Sequence, residues 1–441
     1  MSRQRARPDF AAVLAPVVAL AFSVLPAGAY AQQEVDLQRR DRELEPRLET
    51  LATVGAFDGQ DWETFGEVSD LDFDGAGNLY VFDSQKQRVV VVDPAGRFLR
   101  MFGKQGDGPG ELRSPVSIVV LRDGTTAIAD MGHRAFVLFG ADGQYQRTVG
   151  FGGDVGLTIL GRLSGDGRGG VLSAGQQMVM MQRAAGPGGP SGPVAPPRGH
   201  PIVRFSLDGE GGQRTLMRAW QAPREETGGQ SIQLGGGRAV TAFRGPGAVA
   251  FEPQLLSGAL PDGGLAFSDS SAYAIKIMGP DGAVRRVLRR PFEPRRVTRG
   301  IQEDEKARRL AELEEGGGPQ MRIVVGGGGA AGGGPAPISQ EQIKQMQRQQ
   351  IEAMTFYPEV PVVRDLATGW TGKIWVQRRG RDVSEAGPID VMTPAGDYVG
   401  TITNQTELPR AFGPDGRVAF VVRDDLDVPR VVVRRLPAEL R

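Results

Sequence analysis

VSDLDFDGAGNLYVFDSQKQRVVVVDPAGRFLRMFG, from Val68 to Gly103, alternates short apolar runs with turns. Asn78–Phe82 and Arg88–Val92 are rich in β-branched and aromatic residues, which suit strands. Asp74-Gly75 and Pro94-Ala95-Gly96 supply turn chemistry on either side of them. The same pattern returns without a gap about 47 residues later, as PVSIVVLRDGTTAIADMGHRAFVLFGADGQYQRTVG from Pro115 to Gly150. Asp83 falls on Asp130, Gly96 on Gly143 and Gly103 on Gly150. A third copy begins at Pro261 and keeps the interval from Asp269 to Gly282.

Similarity at a fixed period, with four short strands per unit, points to blades arranged around an axis. Fainter copies complete the set. One joins Gly170–Ser173 to Pro201–Gly209, another joins Lys373–Val376 to Pro388–Ile402, and the last joins Gly413–Val422 to Val428–Leu436. The expected fold is therefore all-β, a six-bladed β-propeller of four-stranded blades. The final unit stops after its third strand, near Leu436. Leu51–Gly55 reads like the fourth strand of the second unit, Gln146–Gly150, so an N-terminal strand is expected to complete the last blade. Such pairing closes the ring and removes an open sheet edge.

Asp83-Ser84-Gln85-Lys86-Gln87-Arg88-Val89 resembles the Asp-x-x-Asn-x-Arg-Ile core of the NHL repeat, with Lys86 in place of the Asn. Phe102–Leu112 is similar to that family's link between blades, and the second unit carries Arg134 one position early. The resemblance implies a six-bladed propeller and names no ligand.

The extra material lies where a propeller exposes it on one side. Residues 176–200, rich in Gly and Pro, fall between the second and third strands of the third blade. Residues 293–358 separate the fourth and fifth blades; Ile301–Glu315 is expected to be helical, with Ala307, Leu310 and Leu313 on one stripe. A second helix is expected after Ser339, whose Ser-x-x-Gln spacing fits a capping box. Loops gathered on one face commonly mark the working side of a repeat scaffold. Residues 1–31 read as a secretory signal, with Arg3, Arg5 and Arg7 before an apolar run and Ala29-Tyr30-Ala31 at the cleavage site. Residues 32–46 read as a linker, and residues 47–441 as the propeller. The expected location is periplasmic or secreted, with no membrane span after cleavage.

Composition excludes several chemistries. There is no cysteine, so thiolate catalysis and Cys-ligated metal are ruled out. Two histidines, His133 and His200, cannot build a three-histidine zinc site. Lys plus Arg equals Asp plus Glu at 52 each, so no net field draws nucleic acid. Asp72–Asn78 superficially suggests a calcium loop, but it lacks the terminal acid and falls on a strand-to-strand turn. Asp83, Asp130 and Asp269 are expected to accept backbone N–H bonds in the loop that follows each. The candidate binding residues are Arg88, Arg113, His133, Arg134, Arg364, Arg378 and Arg379. All map to loops or strand ends on the expanded face, and arginine forks suit carboxylates, phosphates and acidic sugars. Trp370 is expected to offer a stacking surface, and Trp375 to sit in the core. The expected function is non-catalytic binding of a protein, peptide or glycan by a monomer without a cofactor. The alternative is a calcium-dependent, gluconolactonase-like hydrolase.

Overall fold

The computed structural model describes residues 32–152, 157–181, 199–209, 212–223, 232–234, 238–240, 249–315, 340–405 and 407–441. It is a six-bladed β-propeller. Blade 1 comprises Val68–Phe73, Leu79–Asp83, Arg88–Val92 and Phe98–Phe102, ordered from the axis outward. Blade 2 repeats this with Pro115–Val120, Thr126–Asp130, Ala135–Phe139 and Tyr145–Gly150. The inner strands of blades 3 to 6 are Leu157–Gly165, Leu256–Ala259, Val363–Thr368 and Ala411–Phe412.

Near-continuous apolar strands form here because each sheet is buried on both faces. In blade 1 the two middle strands are fully buried, while the outer strand is largely exposed. Side chains alternate between faces with a period of two. Tyr80, Phe82, Val89 and Val91 therefore pack on Ile118, Ile128 and Val137 of blade 2. Leu79, Val81, Val90 and Val92 pack the other way, on Ala419, Val431 and Val433 of blade 6.

The ring closes at the N-terminus. Strand β3 (Glu49–Val54) lies antiparallel to Pro429–Arg435 and supplies the fourth strand of blade 6. The residues before it, read from sequence as a linker, are themselves paired. Strand β1 (Gln33–Asp36) runs parallel to the outer strand of blade 4, and strand β2 (Glu43–Leu44) runs parallel to that of blade 5. The segment straps three successive blades before the first blade begins.

Strand direction alternates within a blade, so loops between the second and third strands emerge at the same end as the links between blades. The repeated aspartates hold that end together. Asp83 accepts bonds from Gly66 N and Glu67 N in the incoming link and from Lys86 N in its own loop. Asp130 does the same with Arg113 N, Ser114 N, Gly132 N and His133 N. Asp269 takes Trp220 N and the Lys276 ammonium.

The insertions behave differently from one another. In blade 3 the second strand continues to Met181, and Leu157–Leu160 pairs with Met178–Met181, so residues 176–181 prolong the sheet. Between blades 4 and 5 stand helices α1 (Arg299–Glu314) and α2 (Gln340–Glu352). Thr298 caps α1 by accepting Ile301 N, and Leu313 is buried, whereas Ala307 is exposed and lies off the stripe expected for it. Lys344 pairs with Glu314 across the two helices. The base of this insertion is tied down: Ala250 in the link before blade 4 bonds Thr355 O and accepts Tyr357 N. The signal reading (1–31), residues 182–198 of the blade 3 insertion and the capping box at Ser339 fall outside the described residues.

Candidate functional site

Six inner strands enclose a central channel of about 710 Å³. Its chemistry arises from a local defect repeated around the ring. The inner strands of blades 1, 2 and 5 carry one extra residue between Val68 and Asp70, Pro115 and Ser117, and Val363 and Asp365, whereas in blade 3 the shift between Leu160 and Arg162 puts the extra residues in the second strand, between Ala174 and Met178. A bulge re-aims the residue that follows it. Asp70, Ser117 and Asp365 accordingly line the channel, with Asp72 one step further along, and Arg162 joins them from blade 3.

Most of these groups are engaged. Asp70 Oδ2 accepts the Ser117 hydroxyl at 2.6 Å and Ile118 N at 3.1 Å. Asp72 Oδ2 accepts Val120 N at 2.8 Å. The two carboxylates thus satisfy the exposed edge of blade 2's inner strand, whose N–H groups have no strand beside them. Burial pushes both acids up, Asp72 to about 7, with the charges of Asp70 and Asp74 adding to the effect. Arg162 donates to Leu366 O at 3.1 Å and stands 3.9 Å from Asp365 Oδ1. Arg410 joins the lining from the link into blade 6.

At the opposite end, where inner strands turn into second strands, two turns meet across the axis. Arg122 from blade 2 stacks on the Trp370 ring of blade 5, its guanidinium 4.6 Å from the centroid, and reaches Trp370 O at 3.4 Å. Trp370 therefore does stack, but on the turn face and on a residue of its own chain. Trp375 is core, 1% exposed. The turn at Asp74 is held by Ala76 N, Asn78 N and the Asn78 amide on the Asp74 carboxylate, a structural turn.

Two of the arginines proposed from sequence are withdrawn into the fold. Arg88 is 5% exposed and donates to Asp61 Oδ2, Asp61 O and Thr64 O. Arg378 is 8% exposed and pairs with Asp41 at 2.7 Å and Asp390 at 3.5 Å. Both bind the chain to itself. A desolvated arginine whose charge is already matched by carboxylates gains little from a further anion. His200, which ends the Gly- and Pro-rich insertion, is buried at the start of a blade 3 strand.

The remaining candidates form two groups on the link face. Arg113 and His133 meet around Asp130: Arg113 N and the His133 ring, at 3.1 Å, both engage its carboxylate, and the Arg113 side chain lies over Gly132. The Arg113 guanidinium pairs in solvent with Asp107 at 2.7 Å. Arg134 holds a left-handed backbone, φ 54°, as does its repeat equivalent Gln87 at φ 52°. In blade 5, Arg364 donates to Ser384 O and Arg379 to Val383 O, so these two surround one loop. Neither histidine lines the channel. Among the described residues no three His, Asp or Glu side chains are grouped to hold a metal ion. No described helix is long and apolar enough to cross a membrane.

The sequence reading missed Asp70, Arg162, Asp365 and Arg122, and gave Asp72 only as the start of a turn. The available signal was positional: in four blades the channel-lining residue directly precedes a buried Leu or Ile of the inner strand, Leu71, Ile118, Leu163 or Leu366.

A search of curated proteins found no match. Among solved structures, a DUF4221 family member from Bacteroides vulgatus is 10% identical, with a TM-score of 0.47 over 89% of this chain and 98% of its own. A gluconolactonase from Xanthomonas campestris is 13% identical, with a TM-score of 0.39 over 89% and 90%. Regucalcin from Agrobacterium tumefaciens, a calcium-binding protein, is 14% identical, with a TM-score of 0.37 over 90% and 99%. Residues 58–154 match the profile of the DUF5128 family, a six-bladed β-propeller, and through that stretch the chain is similar to that family.

Proposed function

We propose that this chain is a non-catalytic binding propeller of the NHL-like kind, working in the bacterial cell envelope. It recognises a protein, peptide or glycan over the face that carries the links and insertions. The observation that carries this reading is the Arg122–Trp370 stack, which spans the turn-face mouth of the channel and favours approach from the link face. On that side stand the helical insertion, Arg113, His133, Arg134, Arg364 and Arg379. A calcium-dependent hydrolase would need acids free to converge on the ion. Asp70 and Asp72 are instead committed to the neighbouring inner strand.

The reading is tested by crosslinking capture from intact envelopes. Arg113→Glu combined with Arg364→Glu is expected to cut the captured partner by about ten-fold, the scale of a lost charge-assisted contact. Arg97→Glu, on the turn face, leaves it unchanged. Equal capture by all three proteins, or turnover of a lactone panel by the purified chain, rejects the proposal.

A further inference from the structure

Three guanidiniums from three separate elements close on the loop 380–385 of blade 5. Arg295, at the entrance to the helical insertion, donates to Gly380 O at 3.0 Å and to Arg381 O. Arg379, at the end of the second strand, donates to Val383 O at 2.9 Å. Arg364, near the start of the inner strand, donates to Ser384 O. All of these acceptors are neutral carbonyls. Among the described residues none of the three arginines has a carboxylate within ion-pairing distance.

Several other basic groups packed into this fold do have such a carboxylate. Arg88 pairs with Asp61, Arg204 with Asp166, Lys276 with Asp269, and Arg290 with Asp390. Two of the nearby acids are engaged elsewhere. Glu305 holds Arg308 at 2.8 Å and Arg309 at 2.7 Å. Asp382, in the loop itself, accepts Ser384 N and the Ser384 hydroxyl, both at 2.8 Å. Arg379 Nε is sealed from solvent with no acceptor. Burial and the Arg364 charge, with Arg295 and Arg308 adding and Glu305 opposing, push the Arg379 guanidinium down to about 10. Like charges gathered in a half-buried place are costly unless an anion joins them.

We propose that Arg295, Arg364 and Arg379 form an oxyanion site on the link face, taking a phosphate or carboxylate group. Each guanidinium keeps donors beyond those spent on the loop, and its planar fork matches an oxyanion edge. The site deepens the reading of the link face as the working side, because it assigns the partner an anionic group.

The test is calorimetric titration of inorganic phosphate into the purified full chain at low ionic strength. A single saturable site is expected. Affinity falls at least about ten-fold in Arg364→Gln and in Arg379→Gln, the scale of one lost charge-assisted contact. Arg295→Gln, at an exposed position, gives the same loss if Arg379→Gln does not fold. Arg285→Gln, which removes one positive charge beyond this loop, leaves affinity unchanged. Absence of saturable binding, or affinity indifferent to both Arg364→Gln and Arg295→Gln, overturns the proposal. No partner is present in this titration, so its failure leaves the capture experiment to decide the link-face reading by itself.

Discussion

Asp390→Ala is expected to lower the unfolding free energy by about 3–5 kcal/mol, the cost of stranding buried positive charge. Asp390 is fully buried and stands 2.9 Å from Arg290, whose side chain is also fully buried, and 3.5 Å from Arg378. Thr401 donates to its other oxygen at 2.6 Å. The Arg290 guanidinium also contacts the Phe292 and Tyr398 rings and donates to Gln38 O and Arg39 O. Removing the carboxylate leaves two desolvated guanidiniums sharing the half-buried Asp41. Equilibrium denaturation in urea measures the loss. The double variant Asp390→Ala with Arg290→Met should be less damaged than Asp390→Ala alone, because the stranded charge is gone. A loss below about 1 kcal/mol would show that the cluster is not what joins these blades.

Removal of residues 32–54 is expected to abolish cooperative unfolding altogether. Blade 6 would lose its outer strand, exposing the edge of Pro429–Arg435, and Val54 and Leu37 would leave two core clusters. A propeller ring with one blade incomplete has no other closure, and its open edge invites aggregation. A shorter deletion, 32–46, keeps β3 but strips Arg290 of Asp41 and two carbonyl partners. It should fold, yet lose stability on the scale of the buried pair, about 3 kcal/mol. Thermal melting followed by circular dichroism distinguishes the two deletions. Wild-type melting by either protein would contradict the strapped ring.

The fold was legible because blades 1 and 2 repeat without a gap, so strand, turn and link fall in register by inspection. Closure was legible for the same reason: Leu51–Gly55 carries the outer-strand pattern of Gln146–Gly150. The strap before it was not. Gln33–Asp36 and Glu43–Leu44 are too short and polar to signal strands, and they become strands only against the outer edges of blades 4 and 5. Tertiary pairing overrides local propensity in such places.

The site was only half legible, and for a related reason. Arg88 and Arg378 look like surface charges until their partners are known, and Arg378 meets Asp41 from 337 residues away. Asp70, Ser117 and Asp365 occupy one bulge position in three blades, but they differ in type and so form no motif. Arg364 and Arg379 were found as basic residues at strand ends. Their convergence with Arg295 depends on how the helical insertion returns over blade 5.

The absence of cysteine offers a direct test of which face works. Single cysteines can be placed at Arg113 and Arg381 on the link face and at Arg97 and Arg168 on the turn face. Their alkylation rates are then compared between purified protein and intact envelopes. Protection in envelopes at Arg113→Cys and Arg381→Cys, with Arg97→Cys and Arg168→Cys unchanged, is the predicted result. Protection confined to the turn-face positions would contradict the account.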